Sequence, residues 1–204
     1  MRRVLGQTET LDRATGNARL TAGAGAMLLV LLAVEGATIP FIGSLLGPHI
    51  FVGVLLVPPL LLKLGSTGYR FARYYTGSAA YRAKGPPPFP MRLLAPGVVL
   101  TSLALFGTGI ALLVSGPESG RLVLLHKASF IAWFGLMALH VLGHLLELPR
   151  LALPDWRRVG GHEAALAGAG LRLAVLFSVA IAGVTLALAT ISLAGPWLTE
   201  RVGG

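Results

Sequence analysis

The chain contains no cysteine. That excludes disulfides, thiolate-bound metals, iron–sulfur clusters and covalent attachment of a c-type haem. Charge is scarce as well. Only 12 % of the 204 residues are Asp, Glu, Lys or Arg, about half the share found in soluble domains. Acidic residues are the rarer sign, eight against 17 Lys and Arg. What is present is apolar: 54 % of residues are hydrophobic and the mean hydropathy is +0.76. Apolar runs of about 20 residues, enough to cross a bilayer as a helix, recur along the chain. An all-α, multi-pass protein of the cell's inner (plasma) membrane is expected, in contact with lipid and without a soluble catalytic domain.

Five spans are expected, at roughly 21–42, 47–66, 92–115, 121–148 and 169–194, within a membrane domain over 21–196. A segment over 1–20 precedes it and a short tail over 197–204 follows. The net charge of +9 sorts across these spans. Fourteen Lys and Arg fall on one side: Arg2, Arg3, Arg13 and Arg19; Lys63, Arg70, Arg73, Arg82, Lys84 and Arg92; Arg150, Arg157, Arg158 and Arg172. Three, Arg121, Lys127 and Arg201, fall on the other. Positive residues stay cytoplasmic, which puts the N-terminus inside and the C-terminus outside. The basic balance is thus a topology signal with a secondary attraction to anionic headgroups, and nucleic acid is not an expected partner. The first span has no clear small-residue cleavage site behind it and is expected to remain uncleaved.

The longest polar connection, "GSTGYRFARYYTGSAAYRAKGPPPFP" at 65–90, begins as a basic, tyrosine-rich extension of the second span and ends in a stiff extended stop. Tyr69, Tyr74, Tyr75 and Tyr81 among arginines fit an interfacial belt. A docking surface for a partner or an anionic ligand is the alternative. Trp156 is a further interfacial candidate. Pro58 and Pro59 should kink the second span, and neighbouring helices must cover the carbonyls they free. Gly53, Gly107, Gly109, Gly135 and Gly143 would let helices, or a flat cofactor, approach closely.

Three histidines stand in the fourth span, where ionisable groups are costly and by default serve a site. His126 and His140 are 14 residues apart. In an α-helix that is about 21 Å of rise and close to four turns, so both leave one face. His49 opens the second span, which runs in the same direction as the fourth, and its depth matches that of His126 within a turn. Two imidazoles at one depth on facing helices can hold an iron between them. A hydrogen bond between the helices with no cofactor is the plain alternative. Gly53, one turn on from His49, would leave room for a porphyrin edge.

The same 14-residue step from His49 lands on Lys63, at the depth of His140. Lys63 can snorkel to the headgroups or pair with a propionate, leaving no second ligand there. It can instead ligate an inner iron as a neutral amine, or an inner haem can take His140 and another partner. "HVLGHLLE" sets His140, His144 and Glu147 at helical spacing, a partial first shell for a divalent metal. His144 can also hydrogen-bond a propionate or a quinone carbonyl, or simply cap a helix end with Glu147. Glu35, in the first span, is the remaining buried acid. Phe130, Trp133, Phe134 and Met137 between the two histidine levels can pack on porphyrin or serve as core. His162 lies in a polar loop, outside this chemistry.

With "HIFVG" at 49–53 and "HKASFIAWFGLMALH" at 126–140, the chain resembles the bacterial membrane cytochromes b built on a four-helix haem core, among them the cytochrome subunits of nickel–iron hydrogenases and formate dehydrogenases. The likeness covers chiefly the second to fourth spans. It implies non-covalent haem b, one or two per chain, and electron transfer between a partner protein and quinone or another carrier. Carried over, His49 and His126 become iron ligands and His140 an inner-haem ligand; Lys63 departs from the pattern where a fourth histidine belongs. Any substrate chemistry would sit on a separate chain. The alternatives are a cofactor-free scaffold or transporter subunit and the divalent-metal site at His140, His144 and Glu147.

Overall fold

The computed structural model describes residues 2–86, 88–159 and 168–199, with side chains from residue 14 onward except those of 156–159. His162, the Trp156 side chain, and the side chains of Arg2, Arg3, Arg13, Arg157, Arg158 and Arg201 lie outside what is described. The elements are α1 (Arg2–Thr38), a 3₁₀ turn (Ile39–Phe41), α2 (Ile42–Leu55), α3 (Val57–Tyr75), α4 (Ala79–Ala83), α5 (Phe89–Ser115), α6 (Gly120–His144), α7 (Leu148–Val159), α8 (Ala169–Thr190), a second 3₁₀ turn (Ile191–Ala194) and α9 (Gly195–Thr199). No strand occurs among the described residues. Among the described residues four helical stretches, 14–75, 89–115, 120–144 and 169–199, are long and apolar enough to cross a membrane.

The first of these stretches folds back on itself. Pro40 starts the turn at Ile39–Phe41, where its fixed φ costs nothing and its missing N–H is not needed. Beyond it, α2 and α3 run antiparallel to α1. Asn17 Nδ2 donates to the Ser66 carbonyl at 3.1 Å, Lys63 Nζ to the Thr21 carbonyl at 2.9 Å, and His49 meets Glu35 and Thr38 near the turn.

The expected break at Pro58 and Pro59 falls at Leu56, between α2 and α3. Both prolines then occupy the first turn of a new helix, a position they tolerate. Pro59 still leaves the Leu55 carbonyl without its usual intrahelical donor. Gly183 of α8 covers it: a Cβ added there would stand 2.5 Å from the Leu55 oxygen. The backbones therefore touch, as small residues permit within membranes. Gly23 of α1 instead makes room for the Leu176 side chain of α8, where a Cβ would lie 2.7 Å from Cδ1. Around it Ala24, Leu173 and Leu176 are buried, with Leu20, Met27 and Leu62 packed against them.

α5 and α6 form a second antiparallel hairpin. Leu136 packs on Gly97 and Met91 on Gly143, and buried Trp133 donates its indole N–H to Ser102 Oγ at 3.0 Å. Among the described residues α6 makes close backbone contact chiefly with α5, while α1, α2, α3 and α8 pack on one another. Two packed bodies result, with His126 and His140 of α6 within electrostatic reach of His49 on α2 and Lys63 on α3 across the seam between them.

The basic ends are tied by a buried ion pair. Arg172 of α8 donates from Nε and Nη2 to the two oxygens of Asp155 on α7, at 2.6 and 2.7 Å, and Arg19 of α1 approaches the same carboxylate at 3.9 Å. The polar connection after α3 turns through Gly77 (φ 90°) and Gly85 (φ 73°), conformations that favour glycine. Tyr81 on α4 is buried against Ala14 and Ala80, and burial raises its phenol above the ordinary tyrosine range. Tyr69 and Tyr75 remain exposed.

Candidate functional site

His49 and His126 lie on α2 and α6, one on each side of the seam, close enough to interact electrostatically. Each is held at the same ring atom. Thr38 Oγ1 stands 2.8 Å from His49 Nδ1 and gives its own proton to the Glu35 carbonyl at 2.6 Å. A hydroxyl carries one proton, so at His49 it can only accept, and Nδ1 carries the hydrogen. Thr108 repeats the logic from α5. Its hydroxyl is 3.1 Å from His126 Nδ1, and its proton goes to the Ala104 and Leu105 carbonyls at 2.7 and 3.0 Å. Hydrogen-bond inventory thus fixes both neutral imidazoles with Nδ1 protonated and the Nε2 lone pair bare. Among the described residues neither Nε2 makes a hydrogen bond.

Two glycines shape this layer. A Cβ at Gly109 would lie 3.2 Å from His126 Cε1, so the ring is seated against the bare backbone of α5. Gly53 adjoins the Glu35 carboxyl, with a Cβ there 3.4 Å from Oε1. Glu35 Oε1 itself is 3.0 Å from His49 Nδ1, a second acceptor for the same N–H. Its other oxygen, Oε2, is buried without a partner among the described residues.

The inner layer is built differently. His140 and Lys63 are near enough for electrostatic interaction, but the Lys63 ammonium is turned to α1, where it donates to Thr21 and rests over Gly25. His140 Nδ1 is buried and has no hydrogen-bond partner among the described residues. Its ring meets that of His144 edge-on, centroids 4.8 Å apart. α6 ends at His144, so Glu147 sits in the turn beyond, its Oε2 3.4 Å from His144 Nδ1. Among the described residues no three His, Asp or Glu side chains converge as a metal-ligand set. Of the aromatic residues between the levels, Trp133 faces α5 and Phe134 is largely exposed.

Sequence reasoning did not single out Thr38, Thr108 or the Asp155–Arg172 pair. Thr38 stands three residues after Glu35, and Thr108 lies between Gly107 and Gly109. A hydroxyl flanked by glycines in an apolar run is the signal that was there to be read. Set against known proteins, the chain matches no family model, no curated protein and no solved structure, so its chemistry has to be read from these residues alone.

Proposed function

We propose that the chain is a membrane cytochrome of b type, holding one haem between His49 of α2 and His126 of α6 and passing electrons between a partner protein and quinone or another carrier. The observation that carries this reading is the matched pair of threonine-held imidazoles, each with Nδ1–H engaged and Nε2 free. Metal-binding histidines are held in this way, through a hydrogen bond from the ring nitrogen that does not ligate. Two half-buried imidazoles, one on α2 and one on α6, each with its Nε2 lone pair free, suit a planar group bound from both sides.

In this reading α1, α2–α3, α5, α6 and α8 supply five crossings, with the basic ends of α3 and α7 cytoplasmic and the His49/His126 layer toward the outer face of the inner membrane. When bound, haem supplies a one-electron ferric/ferrous couple. The protein's residues do the rest: Thr38 and Thr108 orient the ligands, Gly109 seats the His126 ring, and the apolar helices exclude water. Burial and ligand chemistry then set the potential.

A second reading, a cofactor-free membrane protein, draws on the Glu35–Thr38–His49 cluster, which is a polar contact in its own right. The discriminating experiment is a dithionite-minus-oxidised absorbance spectrum with a pyridine haemochrome assay, on detergent-purified protein made with ample haem. About one b-type haem per chain is expected. No haem would refute the cytochrome and favour the cofactor-free protein.

A further inference from the structure

His49 and His126 differ in one respect. Both give the Nδ1 proton to a threonine, yet only His49 has a carboxyl group at the same nitrogen, Glu35 Oε1 at 3.0 Å. Thr38, at 2.8 Å, already fixes the ring and its tautomer. The carboxyl group is surplus to that task, and its placement is unfavourable: Oε2 is buried with no hydrogen-bond partner among the described residues. Gly53 lies beside it, where a Cβ would make an ordinary contact of 3.4 Å with Oε1.

We propose that Glu35 is a positioning residue that sets the redox potential of the site through His49. The inference rests on the haem reading above. A carboxylate that accepts the Nδ1–H draws that proton away and raises electron density at Nε2. A more basic ligand favours the oxidised metal over the reduced one, so Glu35 lowers the midpoint potential. Thr108 is neutral and spends its own proton on backbone carbonyls, so it exerts no comparable pull on His126. The ligand pair is chemically lopsided, with the electron-rich side on α2. One electron is gained or lost at the metal, and no covalent bond forms or breaks.

The test is a redox titration of the detergent-purified holoprotein, comparing wild type, Glu35→Gln and Glu35→Asp, with haem content measured on each. Glu35→Gln is expected to keep its haem, because Thr38 still holds the ring, and to titrate at a higher potential than wild type. Glu35→Asp, which draws the carboxylate back by one methylene, should fall between the two. A haem-replete Glu35→Gln protein with the wild-type potential would overturn the proposal and leave the cytochrome reading intact. Wild-type protein without haem would overturn both. Loss of haem from Glu35→Gln alone would also overturn it, since Glu35 would then hold the group instead of tuning it. Should the Gln variant fail to fold, Glu35→Asp decides: a raised potential supports the proposal and an unchanged one refutes it.

Discussion

The two histidine layers of α6 share a helix face but not a chemistry. At His126 and its counterpart His49, every polar atom that could misorient a ring is committed, and the lone pairs are left over. At His140 the reverse holds: Nδ1 is buried and unpaired among the described residues, the ring leans on His144, and the cation at matching depth is bonded to α1. Spacing along a helix therefore does not by itself give two rings the same partners. What separates the layers is whether a neighbouring helix supplies a hydroxyl whose own proton is already spent.

The sharpest way to break that contrast is to delete the rings. His49→Ala and His126→Ala are each expected to abolish bound haem, while His140→Ala keeps it, as read by haem content per chain. Equal losses from all three would erase the distinction between layers.

Haem loss must be separated from unfolding, and Asp155 provides the control. Asp155→Ala removes the carboxylate that accepts two hydrogen bonds from buried Arg172, and thermal melts should show a loss on the order of 3 kcal/mol. Below its lowered transition the variant should still show the wild-type haem spectrum, because the pair lies at the other end of the molecule from His49. Gly183→Ala tests the seam between α8 and α2. Its Cβ meets backbone, the Leu55 carbonyl, which cannot swing aside as a side chain would, so a loss of about 1–3 kcal/mol is expected in the same melts.

Smaller effects probe the hydroxyls. Thr38→Val and Thr108→Val keep shape but remove the acceptor at Nδ1, and haem affinity in each should fall by about 10- to 100-fold, the usual weight of such a partner. The least effect belongs to Lys63→Met. Its ammonium serves the Thr21 carbonyl, so haem content and spectrum should stay as in wild type. A changed spectrum would bring the inner layer back into the ligand set.

Much of the scaffold was legible in the sequence, because apolar run length and the lack of charge dictate membrane-crossing helices with little help from tertiary context. The interruption at Pro58 and Pro59 was legible for the same local reason, though not that Gly183, more than 120 residues away, would cover the freed carbonyl. The end of α6 was read too far: an apolar pattern runs on through Leu148, but the helix stops at His144 and a short turn leads into α7. That places Glu147 in a turn, where helical spacing no longer applies. The roles of Thr38 and Thr108 were hidden for a different reason. Each depends on where a single hydroxyl proton goes, and that is decided by a carbonyl one turn away and a ring on another segment, which no linear pattern records. Lys63 shows the same limit, since its depth followed from counting residues while its direction followed from Gly25 leaving space on α1.

The most direct test of the outer pair as ligands is a near-infrared magnetic circular dichroism spectrum of the oxidised, purified holoprotein, whose ligand-to-metal charge-transfer band reports the axial pair. The account expects the band of a six-coordinate, low-spin iron with two imidazoles, from Nε2 of His49 and His126. A band characteristic of amine–imidazole ligation would move the iron to Lys63 and His140, and a high-spin, five-coordinate signature would leave one of the threonine-held rings unused; either would contradict it.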